Sequence, residues 1–116
     1  MRRILTLCGV AEGGFGALLL AWPTIVAESL FAAQVSGVGV IVARLTGACL
    51  IALSVACWPA GDSRRAFQGM LLWSVLAALI LIIVGTGGHT GILLWPAVAV
   101  HAIFAVLLLN ALRRTT

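Results

Sequence analysis

FQGMLLWSVLAALILIIVG, residues 67–85, runs for nineteen residues without a charged side chain. At about 1.5 Å of rise per residue, a helix of that length crosses a hydrocarbon core of about 30 Å. Nothing in it alternates with a period of two, as a barrel strand would. Arg64 and Arg65 stand before it, and a glycine-rich run, Gly85-Thr86-Gly87-Gly88-His89-Thr90-Gly91, follows it. A membrane-spanning helix with one basic flank is the direct reading, and the rest of the chain repeats the pattern.

Three further apolar stretches can be drawn on the same criterion, at residues 4–22, 38–58 and 92–112. Helices satisfy their own backbone polar groups in lipid, so the expected fold class is all-α: an integral membrane four-helix bundle in one domain covering residues 1–116. Composition agrees, with 63% hydrophobic and 9% charged residues, where soluble domains lie near a half and a quarter. The first stretch follows Arg2 and Arg3 and could pass for a secretory signal, but Glu12 and the glycines at 9, 13, 14 and 16 interrupt its apolar core, so a retained helix is expected.

Each proline follows a tryptophan: Trp22-Pro23, Trp58-Pro59 and Trp95-Pro96. Tryptophan favours the headgroup boundary, and proline is tolerated only in a helix's first turn. The first two pairs are expected to end spans and the third to lie just inside the start of the last. Residues 24–34 are expected to form a short interfacial helix, capped by Thr24, with Ile25, Val26, Leu30 and Phe31 against the membrane and Glu28 in water. Its functional version is a lid and its structural version a connector.

Charge sets the orientation. Arg2-Arg3, Arg64-Arg65 and Arg113-Arg114 fall on one face of a four-span bundle, which the positive-inside rule makes cytoplasmic, so both termini are expected inside and the location is a cell inner membrane. The net charge of +4 is then a topology signal with affinity for anionic lipid, and nucleic acid is not an expected partner.

Three ionisable residues break the spans near their middles: Glu12, Arg44 and His101. A lone charge at the bilayer centre costs roughly 2.5–3.5 kcal/mol on insertion scales, so such residues are expected to turn inward and pair. Glu12 lies among Gly9, Gly13 and Gly16. Arg44 has Gly47 and Ala48 beside it, with Ala52 and Ala56 continuing a small-residue row, and His101 has Ala97 and Ala105 a turn away. Small residues at such intervals let helices approach closely. Arg44 lies roughly 4–5 Å nearer the outer end, an offset its long side chain can cover. One midplane cluster of Glu12, Arg44 and His101 is therefore expected, either as a structural ion pair or as a binding or proton site. Trp73, His89 and Trp95 are secondary ligand-binding candidates.

Other chemistries have little support. Cys8, Cys49 and Cys57 show no C-x-x-C spacing and read as packing residues, so no metal site is expected. There is no G-x-S-x-G or H-E-x-x-H, and the other acids, Glu28 and Asp62, lie outside the spans, so an enzyme is not the expected reading. A haem would find a single mid-span histidine, which leaves the cofactor question open.

Four short spans with a glutamate in the first resemble the small multidrug resistance transporters, in which that acid exchanges protons for cationic drugs. The chain departs from them in placing Arg44 at similar depth and in its one-sided arginine pairs. Ala43-Arg44-Leu45 with Gly47-Ala48, Ala56-Cys57-Trp58, and Leu94-Trp95-Pro96-Ala97 followed by His101 are similar to segments of a group of short bacterial four-helix membrane proteins. That resemblance covers parts of the second and fourth spans and implies architecture rather than an activity. The leading expectation is a binding or accessory protein whose polar cluster holds a small amphiphilic ligand or orders a membrane partner subunit. The alternatives are a proton-coupled transporter and a haem- or quinone-linked redox subunit, and a homo-oligomer through the glycine rows is a further partner call.

Overall fold

A computed structural model describes residues 2–58 and 64–114. Five helices follow in order: α1 (Arg2–Ala21), α2 (Pro23–Phe31), α3 (Val38–Ala56), α4 (Arg64–Thr86) and α5 (Leu94–Arg113). All but α2 are long and apolar enough to cross a membrane. Pro59 of the second tryptophan–proline pair and Asp62 lie outside the described residues.

Local chemistry explains the boundaries. Pro23 opens α2 at its first position, with Trp22 as a non-helical N-cap, so proline takes the starting role that the sequence reading gave to Thr24. A missing N–H matters least there. Ala32 ends α2 in the left-handed region (φ 51°), donating its N–H to Glu28 O at 2.9 Å. Pro96 is the third residue of α5, where the helix has no use for its N–H.

The long helices form two antiparallel pairs. In the first, α1 lies along α3 through Gly9, Gly13 and Gly16, which meet Ser54, Leu50 and Gly47. Backbone touches backbone at the crossing: a Cβ on Gly16 would lie 2.7 Å from Gly47 O, and one on Gly47 would lie 2.6 Å from Gly16 O. Close approach of this kind is how helices gain packing where no hydrophobic force separates lipid from protein. The glycines that the sequence offered to a dimer are thus used within the chain. In the second pair, α4 meets α5 where Gly85 faces Leu94 and Trp95 and where Phe67 and Met70 share a core with Phe104 and Leu108. Buried Ser74 bonds back to Met70 O at 2.9 Å, so it brings no unsatisfied hydroxyl into that contact.

The pairs join at one end. Leu5, Cys8, Cys57, Phe67, Met70, Phe104, Leu108 and Ala111 form a common core that draws together the starts of α1 and α4 and the ends of α3 and α5. The first and last described residues therefore lie at this end, with exposed Arg2, Arg3, Arg64, Arg65, Arg113 and Arg114; it is called the arginine end below. The opposite end carries α2, whose Val26 and Leu30 pack with Leu19 in a smaller cluster. Rather than lying flat with all its apolar residues outward, α2 turns Val26, Ala27 and Leu30 into the bundle and leaves Ile25 60% exposed. Two backbone bonds tie it to the start of α5: Gly91 N–H to Leu30 O and Leu93 N–H to Ser29 O, each 2.8 Å.

One expected contact row is displaced. Ala48, Ala52 and Ala56 are exposed, and the face of α3 against α1 is Gly47, Leu50 and Ser54. Gly47 allows the closest approach and so sets the rotation of the helix. One residue further along is about 100° round, which carries the alanine row outward.

Candidate functional site

Outside the arginine-end core, contact between the two pairs is slight. α1 touches α4 and α5, while α3 barely reaches either. The pairs therefore diverge toward α2 and enclose a cavity of about 790 Å³, within the range of small-molecule sites. Its walls are aliphatic and aromatic, with Phe15, Leu50, Ala77, Ala97 and Phe104 among them. Polar side chains are few: Glu12, Thr46, Trp73 and His101. The hydroxyl of Thr46 is already engaged with Val42 O at 2.8 Å, which leaves three groups to offer.

Those three come from three helices and meet where α1 bridges the pairs. Glu12 Oε1 lies 3.4 Å from His101 Nδ1, longer than a well-made hydrogen bond. The Trp73 ring stands edge-on to the His101 ring, with centroids 6.2 Å apart and planes at 83°. His101 Nδ1 and Trp73 Nε1 are both buried and make no good hydrogen bond. Glu12 is only 4% exposed, enclosed where Gly13 and Gly9 let α3 come close on one side of α1. A carboxyl and an imidazole in this relation can hold one proton between them in either a neutral or an ion-paired form. Trp73 adds an indole N–H, which can only donate.

Of the expected cluster, the structure brings Glu12 and His101 together and leaves Arg44 out. Arg44 is exposed, does not line the cavity and makes no ion pair among the described residues. The reason is rotational. Gly47 and Arg44 are three residues apart, which is about 60° short of a full turn, and Leu50 and Ser54 centre the contact face further round on the far side of Gly47. Depth brought Arg44 near its supposed partners, but angle takes it to the outer surface. Among the secondary candidates, Trp73 joins the site. Trp95 is 48% exposed and sets its ring against Gly85, outside the cavity, and His89 is exposed in the connection between α4 and α5.

The sequence reading missed the apolar walls, Phe15 above all, and took Ala97 for a helix-contact residue rather than part of a cavity wall. Ala97 lies four residues before His101 and shares its helical face, the one signal that pointed to it. Cys8 and Cys57 are buried in the arginine-end core and Cys49 is exposed, all as free thiols.

No family model matches the chain, and no curated protein or solved structure is similar to it. The site is therefore argued from its own geometry.

Placing Arg44 outside the cluster has a measurable outcome. In ¹⁵N-histidine-labelled protein, Arg44→Leu is expected to leave the ring resonances of His101 in place, and Glu12→Gln to move them. A displacement with Arg44→Leu as large as that with Glu12→Gln would return the arginine to the site.

Proposed function

We propose that this chain is an integral membrane protein that binds a small, largely apolar molecule between its two helix pairs, with Glu12 and His101 meeting the ligand's polar part. The observation that carries the reading is the cavity, about 790 Å³ of apolar space with its few polar groups gathered at one place. Pockets of this size and make-up hold drug-sized ligands, the apolar walls giving affinity and the few polar atoms orientation.

The membrane part of the proposal rests on the outer surface. Leu7, Ile41, Leu45, Leu72, Ile83 and Val106 are each more than half exposed, and apolar cover on this scale suits lipid rather than water. The long dimension of 44 Å matches a bilayer including its headgroups, about 40–45 Å. With six arginines at one end and Glu28 and His89 at the other, the positive-inside rule puts the arginine end in the cytoplasm of a cell with an inner membrane. Arg44 begins about 9 Å below the first residue of α3, close enough for its guanidinium to reach the outer headgroups.

Binding fits the shape better than passage does. The arginine-end core lies across the path that a transported molecule would take, with Met70 and Leu108 fully buried in it.

Filling the space tests the reading. Protein purified in mild detergent and extracted with organic solvent is expected to yield a lipophilic compound, detected by mass spectrometry, at close to one per chain. Ala97→Phe adds a ring to the cavity wall and is expected to lower that yield at least tenfold while the protein stays folded. If wild type and variant carry the same bulk lipid and nothing else, the cavity is not a binding site.

A further inference from the structure

The cavity has a floor, a roof and one open flank. The floor is the arginine-end core, where Leu5, Cys8, Phe67, Met70 and Leu108 are each no more than 5% exposed. The roof is α2, which places Ala27, Leu30 and Phe31 over the space. It is fastened to α5 by the two backbone bonds from Gly91 and Leu93, and Gly91 packs so closely on Ser29 and Leu30 that a Cβ has no room there. The core closes one end, and α2 covers the other.

The flank differs from both. α3 follows α1 along its length and meets α4 and α5 only at the arginine-end core, without closing onto them toward α2. Across the gap stand Val38 and Val42 of α3, Ile80 of α4, Leu93 just before α5 and Val100 within it, all bordering the cavity. Their exposures of 74, 54, 58, 45 and 44% make them lips rather than packed walls. All five lie between the level of Glu12 and His101 and the α2 end, so the gap opens onto one half of the helix length. None carries a charge.

We infer that the ligand enters sideways, from the hydrocarbon of the leaflet on the α2 side, through the slot between α3 and the α4–α5 pair. It follows that the ligand is a membrane-dissolved, single-chain amphiphile with an uncharged, oxygen-bearing head. The head rests at Glu12 and His101 and the chain extends along the slot. A fixed charge on the head would have to pass aliphatic lips that offer it no partner, which the low dielectric of such a passage opposes. A hydroxyl loses far less on such a passage and can both donate to and accept from a carboxyl and an imidazole. This inference rests on the cavity being a binding site, and its test separates the two claims.

The protein is reconstituted in phospholipid vesicles and exposed to dodecanol carrying a diazirine on its chain, and labelled peptides are mapped by mass spectrometry. Labelling is expected on the α1 segment containing Phe15 and the α5 segment containing Ala97. For the route, the full chain with Val42→Cys, Ile80→Cys and Cys49→Ser is stapled across the slot by a bis-maleimide. Stapling is expected to lower labelling at least tenfold relative to the same protein before stapling. Equal labelling before and after overturns sideways entry and leaves the binding reading standing. For the ligand class, the corresponding photoreactive dodecyltrimethylammonium and dodecyl phosphate are expected to label at least tenfold less than the alcohol, and equal labelling by either overturns the uncharged head. If Ala97→Phe is labelled by the alcohol at the same positions and to the same extent as wild type, the binding reading itself falls.

Discussion

Gly16→Ala is expected to lower the stability of the bundle by about 2 kcal/mol, and Gly14→Ala to leave it unchanged or raise it by up to about 1 kcal/mol. The two substitutions are chemically identical and two residues apart on one helix. Alanine is the better helix former in both places, by about 0.8–1 kcal/mol. At Gly14 nothing lies within 4 Å of the new methyl, so only that gain operates. At Gly16 the methyl would lie 2.7 Å from Gly47 O, 2.9 Å from Leu50 Cβ and 3.2 Å from Ile51 N. The oxygen and the nitrogen belong to backbone, which cannot turn aside as a side chain would, so α3 must move as a unit and lose its contact with α1. Overpacking of this kind costs typically about 1–3 kcal/mol and outweighs the propensity gain. Leucine at position 16 should leave no folded protein. Detergent-titrated unfolding followed by circular dichroism reads the difference. Equal stability of the two alanine variants would mean that α1 and α3 do not cross at Gly16.

Glu12→Ala is expected to destabilise the protein by about 1–3 kcal/mol and to abolish retention of the proposed ligand. Its carboxyl lies 3.4 Å from His101 Nδ1, a buried nitrogen with no well-made hydrogen bond, and truncation takes that acceptor away. The loss falls where the two helix pairs have little else in common, so it should loosen the cavity as well as strip it of its acid. Interhelical polar contacts in membranes average about 0.6 kcal/mol in mutant cycles, so the coupling between Glu12 and His101 is expected to be smaller than the loss from Glu12→Ala itself. A cycle of Glu12→Ala, His101→Phe and the double variant measures it. Strictly additive losses would show that the two side chains act apart. Glu12→Gln should be milder, because the amide keeps an oxygen that can accept a hydrogen bond.

Much of the architecture could be read from the chain because its signals act along one dimension. Apolar run length, arginine pairs and tryptophan–proline steps all report position along the helix axis, and they locate α1, α3, α4 and α5 to within a few residues. Glu12 and His101 were legible for the same reason, since both sit near mid-helix and antiparallel packing brings equal depths together. Arg44 was misplaced because depth is only one coordinate. Its angle around α3 depends on where α1 crosses, and the crossing is set by Gly47, a residue whose partner Gly16 lies on another helix. Trp73 was a candidate by type alone, and its meeting with His101 depends on how α4 and α5 face each other. The cavity itself was beyond reach. It exists because α3 packs on α4 and α5 only at the arginine end, and a contact that is missing leaves no pattern in the residues that fail to make it.

The division into two pairs also bears on how a copy is made. α1 leaves the ribosome before the other four helices, carrying Glu12 halfway along it, and pairing with α3 covers only the glycine face beside that acid. The imidazole that answers it belongs to α5, which follows the other four in the chain. Until α5 is made, every nascent chain holds a mid-helix carboxyl whose histidine neighbour has yet to arrive. A product that stops after α4 keeps that defect permanently.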